Sequence, residues 1–203
     1  MKNYICINGK KIELTAEQIA TLTSETKKAT LADVATGEVF KIGTHEFIVL
    51  EHTSGAVLAL KKDIICKMAF GTDNNNYLES KIKPELEKFY GELKAIAGEE
   101  NIVSHTADLT SDDGLKDYRT FETYVSLLTA DMYRKYVQII DKYKLDCWWW
   151  LLTPCSTDTH ENSDWVKCVS PLGGIGNDGF NYDDIGVRPF CIFKSNIFVS
   201  CEK

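Results

Sequence analysis

Apolar positions along this chain recur with two different periods, and each predicts a different kind of element. Lys2–Ile7 alternates toward Ile5 and Ile7, Asn8-Gly9 interrupts it, and Lys11–Leu14 resumes it. Asn-Gly between two β-rich runs predicts a hairpin, because both residues tolerate the positive φ of a tight two-residue turn. Thr15-Ala16-Glu17-Gln18 then has the form of a capping box that opens a short helix to about Leu22. These signals give a ββα appendage over residues 1–23, a polar linker over 24–30 and a main domain over 31–203.

Within the main domain, Val39–Ile42, Glu46–Glu51 and Val57–Leu60 read as strands of a meander, joined at Gly43 and at Ser54-Gly55. After the polar break Thr72–Asn76, the spacing of Leu78, Ile82, Leu86, Phe89, Leu93 and Ile96 predicts a helix ending at Ala97 before Gly98, with Pro84 near its first turn. Ile102–Val103 reads as a short strand, Ser111–Gly114 as a turn and Val125–Leu128 as a buried strand. Thr129 is placed to cap a second helix over Ala130–Tyr143, with Met132, Tyr136, Ile139 and Ile140 inward. From Trp148 onward, short strands are expected at Trp148–Leu152, Asp164–Ser170 and Gly186–Phe193, with Gly173, Gly174, Gly176 and Gly179 in the turns between them. The fold class is therefore α+β: a small N-terminal ββα element, then a mixed domain with two main helices and a C-terminal antiparallel sheet.

Charge narrows the functions. The 203-residue chain carries a formal charge of −7, and Leu145–Ile192 holds seven acidic residues against Lys167 and Arg188. A basic footprint for phosphate contacts is missing, which argues against duplex nucleic acid as a ligand. The acidity suits a basic partner or simple solubility. Seven cysteines at irregular spacing, with no Cys-x-x-Cys, imply reduced thiols packed as small hydrophobes. No apolar run approaches membrane-spanning length, and the N-terminus has no secretory signal, so a cytoplasmic protein without membrane contact is expected.

The sequence shows no catalytic constellation. His45, His52, His105 and His160 are scattered, and Cys155 and His160 are close only in sequence. Gly173-Gly174-Ile175-Gly176 lacks the strand–glycine–helix setting of a nucleotide loop. Asp108, Asp112, Asp113 and Asp117 do not keep the ligand order of a calcium loop and read as a solvated turn. Asn177-Asp178-Gly179 and Asp183-Asp184 form a second oxygen-rich region with no legible ligand pattern. No metal or cofactor is assigned.

A three-part signature closes the chain: Trp148-Trp149-Trp150-Leu151-Leu152-Thr153-Pro154, Trp165–Ile175 and Gly186-Val187-Arg188-Pro189-Phe190. In order and character it resembles a phage- and prophage-associated domain family of unassigned function, whose hallmark is a WWLRSP-like block, a VxSxGxI-like strand and a GVRPA-like ending. Leu152-Thr153 stands where Arg-Ser is commoner in that family, so no role of that arginine carries over. More remotely, the paired-Trp block and the terminal Gly-Val-Arg resemble the C-type-lectin-like fold of formylglycine-generating enzymes, in which the Trp and Arg strands pack in the core. The cysteine pair those enzymes need upstream of the Arg motif is missing between Cys168 and Cys191.

The candidate binding residues are Trp149, Trp165, Asp178, Asp183, Asp184 and Arg188. Alternation puts Trp148 and Trp150 on one strand face and Trp149 on the other, as interface anchors or as core. Arg188 either binds an anionic group bidentately or ties down local groups, with Asp183 and Asp184 as candidate partners. Together these readings imply a non-enzymatic phage or prophage binding protein whose partner is a host or phage protein. The form expected is an acidic, anti-CRISPR-like inhibitor of a host-defence nucleic-acid enzyme. A lectin-like small-ligand or glycan module and a phage structural or accessory protein are the alternatives.

Overall fold

A computed structural model describes residues 29–201, together with Thr15 and the strands β1 (Tyr4–Ile7) and β2 (Lys10–Glu13). β1 and β2 pair antiparallel with Ile7 opposite Lys10, as the alternation predicts. The helix expected to about Leu22 and most of the expected linker lie outside the described residues. The last two linker positions, Ala29–Thr30, form a strand, β3.

The expected meander is present as β4 (Val39–Ile42), β5 (His45–Thr53) and β6 (Ala56–Lys61). β7 (Cys66–Lys67) precedes the first long helix, α1 (Ile82–Ala97). A hairpin follows, β8 (His105–Asp108) and β9 (Thr120–Thr123), then β10 (Val125–Ser126) and α2 (Ala130–Ile140). The remaining strands are β11 (Trp149–Pro154), β12 (Trp165–Val169), β13 (Ile175–Gly179), β14 (Gly186–Val187), β15 (Phe190–Lys194) and β16 (Phe198–Cys201).

Two sheets carry the molecule. One has the order β10-β15-β6-β5-β4-β16-β3 and the other β13-β12-β11-β14-β7. Pairing is antiparallel except where β11 meets β14 in parallel, at Trp149 and Gly186. The chain crosses between the sheets at Arg188-Pro189, so the single strand expected over Gly186–Phe193 is two strands in different sheets.

Both faces of this β layer are buried. Phe47, Val49, Val57 and Ala59 pack on one side with Leu86, Phe89 and Leu93 of α1, while Ile48, Leu50 and Leu60 pack on the other with Tyr133, Tyr136 and Ile140 of α2. β11 follows the same division: Trp150 and Leu152 join the α1 side, and Trp149 and Leu151 the α2 side. A strand covered on both faces reads as an unbroken apolar run, which explains Trp149–Leu152.

Two positions of the α1 stripe depart from the expectation. Leu78 sits in a separate 3₁₀ turn (Tyr77–Glu79) and is exposed, because Tyr77 takes the inward place. Ile96, in the last turn, is also exposed. In α2 the Thr129 hydroxyl accepts the Met132 amide at 3.1 Å, the expected cap; Tyr136 and Ile140 are buried and Met132 and Ile139 pack partly buried against the core as expected, and Tyr133 is buried in addition. Among the described residues no helix is long and apolar enough to cross a membrane.

Candidate binding site

The six sequence candidates do not converge. Trp149 and Arg188 meet, with the guanidinium 5.0 Å from the indole centroid, but both are buried. Arg188 donates to the carbonyls of Lys61 (2.9 Å), Lys62 (2.7 Å) and Tyr143 (3.2 Å), so it ties the sheet crossing to the end of α2 rather than binding Asp183 or Asp184. Burial pushes its pKa down to about 10, which leaves it charged at neutral pH. Asp183 and Asp184 are exposed in the β13–β14 loop, where Asp184 pairs with Lys67 at 2.7 Å. Asp178 lies opposite Val166 and Trp165 opposite Gly179, so in the strand alternation Asp178 and Trp165 face opposite sides of their sheet. Trp148 is the exposed member of the Trp run, half-covering Gly176: a methyl there would lie 2.9 Å from its ring.

Trp165 is the candidate that reaches a surface suited to binding. It lines an open cleft of about 450 Å³ with Asp113, Cys155, Ser156, Asn162, Lys167 and Asn177. Two loops wall this end of the molecule, 109–119 before β9 and 155–164 before β12. Residues 108–119 and 155–165 together hold Asp108, Asp112, Asp113, Asp117, Asp158, Glu161 and Asp164 against only Lys116 and Arg119.

A buried amide locks the two loops together. Asn75, fully buried, donates to the carbonyls of Ser156 (2.9 Å) and Trp165 (3.0 Å), and its own oxygen accepts from the Tyr118 hydroxyl at 2.8 Å. Asp113 accepts from the hydroxyls of Ser111 and Ser156, and His160 Nδ1 stands 3.8 Å away. Asp117 accepts from Thr157 at 2.6 Å and Thr159 at 3.0 Å. Asp112 is gripped by Lys167 at 2.8 Å and Arg134 at 3.2 Å. The expected solvated turn is thus a fixed carboxylate array. Asn75, Tyr118, Ser156 and Thr157 escape sequence reasoning because their partners lie tens of residues away, although Asn75 sits in the run Asn74-Asn75-Asn76.

The titration pattern follows from these contacts. Hydroxyl bonds from Ser111 and Ser156 hold the Asp113 carboxyl below its usual range, as those from Thr157 and Thr159 hold Asp117. Partial burial pushes Asp112 up, but the bonds from Lys167 and Arg134 outweigh it and hold it down. Burial pushes the thiol of Cys155 up to about 11 and that of Cys168 up to about 12. A carboxylate held down is a poor general acid, and a thiol pushed up is a poor nucleophile at neutral pH. No group of three or more His, Cys, Asp or Glu side chains among the described residues is placed to hold a metal ion.

Fold and site define a two-sheet α+β protein with a hydrogen-bonded acidic end around a half-exposed tryptophan. No family model, curated protein or solved structure matches the chain.

Proposed function

We propose that this chain is a non-enzymatic binding protein that docks a basic protein surface through the acidic end around Trp165. The observation that carries this reading is the exposed Trp165 beside seven acidic residues whose loops are pinned by Asn75 and by hydroxyl–carboxylate bonds. Pre-ordered loops lose little entropy on docking, a tryptophan supplies an anchor, and the charge steers a basic partner. The resemblance of the C-terminal signature to a phage-associated family favours a phage origin, and an acidic docking end suits an inhibitor that occupies the nucleic-acid channel of a host-defence enzyme. Lowered carboxylates and raised thiols support the non-enzymatic part of the reading.

Affinity capture from a bacterial host lysate tests it. The expected partner is a basic protein, retained at low salt and displaced by a polyanion such as heparin. A partner that is acidic, or that survives heparin and high salt, contradicts the reading.

A second reading rests on the same cleft. Trp165 with Asn162, Asn177 and Asp113 is the mixture of aromatic and amide or carboxylate groups that holds a sugar ring, which agrees with the lectin-like resemblance. Binding of a glycan-array ligand that Trp165→Ala abolishes, with no protein captured, favours this alternative.

A further inference from the structure

Four tyrosines are buried in the main domain: Tyr77, Tyr118, Tyr133 and Tyr136. Three of them donate their hydroxyls to protein groups, Tyr118 to Asn75 and Asp158, Tyr133 to the Gly173 carbonyl and Tyr136 to Glu51. Tyr77 is 2% exposed, yet its hydroxyl has no hydrogen-bond partner among the described residues. The ring is buried but its hydroxyl is not sealed from solvent, so it is a polar tip left to the open cleft that Tyr77 lines.

Tyr77 lines a separate cleft of about 290 Å³ between α1 and the segment 121–125. Its ring stacks on Phe121 at 5.1 Å, and Tyr90 stacks on Tyr124 at 4.6 Å, so both aromatic pairs border the same cavity. Leu86 and Val125 add apolar lining. The charged groups at the cleft are Lys83, Glu87 and Glu122. Lys83 Nζ is held by Glu87 Oε1 at 2.5 Å, so the one cation present is already matched.

Aromatic faces carry negative quadrupole potential, and the cleft adds one net negative charge and an unpaired phenol oxygen able to accept a hydrogen bond. We propose that this cleft is a binding site for an organic cation, an alkylammonium or guanidinium group on a short apolar stem. Tyr77 Oη and the second Glu87 oxygen accept its N–H bonds, and the rings border its stem. The site shares no lining residue with the Trp165 cleft and stands or falls independently of it.

The test is a titration of the full chain, followed by aromatic-region NMR and calorimetry. The probes are arginine methyl ester, butylammonium, an arginine-containing dipeptide amide, and benzoate as a size-matched anion. Binding of the cations with shifts at Tyr77, Tyr90, Phe121 and Tyr124, and no binding of benzoate, is expected. Binding of the dipeptide alone assigns the cation to a partner's side chain; binding of the free cations assigns it to a small ligand. Glu87→Gln is expected to weaken the cation by about two- to fivefold, the range for a carboxylate whose side chain is largely exposed. Lys83→Gln, which removes the competing charge, is expected to strengthen it, an opposite sign that a general loss of structure does not produce. Tyr77→Phe keeps the ring and tests the hydroxyl alone. Failure of every cation to shift these resonances overturns the proposal, as does equal binding of benzoate or the same response to Glu87→Gln and Lys83→Gln.

Discussion

Single residues show where polar chemistry is used to hold the fold. Arg188 is a charge enclosed at the joint between two sheets, held through Nε and Nη2 by three carbonyls and stacked near a tryptophan face, while its Nη1 is buried with no partner among the described residues. Replacing it with Ala unpairs those carbonyls and leaves a cavity, so Arg188→Ala is expected to lower unfolding stability by about 3–5 kcal/mol in urea. A loss under about 1 kcal/mol contradicts the structural role. The sequence offers both readings of Arg188, and only the burial decides between them. His105 was not legible as anything beyond a scattered histidine. Its Nε2 meets Ser126 Oγ at 2.9 Å, its Nδ1 is buried without a partner, and burial pushes its pKa down to about 4, although Glu122 pulls the other way. A histidine depressed on folding stabilises fully above its unfolded value of 6.5, and that contribution is lost as the pH falls from there toward 4. Stability is therefore expected to decline by about 2 kcal/mol across that window and to flatten in His105→Gln. An unchanged slope in the variant rules His105 out as the source.

At the scale of elements, the sequence shows what is periodic and hides what is paired at long range. α1, α2 and the meander were readable because each buries one continuous stripe or alternating face. β11 was readable as a strand, but its two buried faces depend on helices on both sides of the layer, which no local pattern announces. The glycines of β13 read locally as turns, yet the segment Ile175–Gly179 is a strand. The strand forms because Gly176 leaves room for the Trp148 ring, and the pairing with β12 supplies the hydrogen bonds. The loops at the acidic end were legible only as acidic. Their geometry comes from Asn75, which joins the polar break before α1 to residues 156 and 165. Asn75→Ala removes the Ser156 carbonyl's Asn75 donor, while the Trp165 carbonyl keeps the Cys155 amide and the Tyr118 hydroxyl keeps Asp158, with an expected loss of about 1–2 kcal/mol. Faster amide exchange in residues 155–165 than in α1 is the accompanying signature; uniform change across the chain contradicts a local clasp. The same loops depend on ionised carboxylates. With Asp113 and Asp117 depressed, their contribution is present above the ordinary carboxylate pKa and lost as the pH falls through the lowered folded values. Exchange in 155–165 is therefore expected to accelerate below about pH 4, and protection that persists to pH 2 excludes the carboxylates as the clasp.

The whole molecule is a two-faced β layer that buries most of the tryptophan signature and turns one acidic end outward. The sequence candidates Trp149 and Arg188 became core, Asp178, Asp183 and Asp184 lie apart from Trp165, and Trp165 itself stands at the acidic end. Charge was legible from composition, while its concentration on two clasped loops needed the fold. If that end is the docking surface, neutralising it should remove binding without harming the core. The decisive comparison is capture from host lysate by the wild-type chain and by a variant carrying Trp165→Ala, Asp158→Asn and Glu161→Gln, with matched thermal unfolding as a control. All three residues are exposed, so the variant is expected to unfold within a few degrees of wild type and to lose its partner. A variant that folds normally and retains the same partner at the same salt contradicts the acidic end as the binding surface.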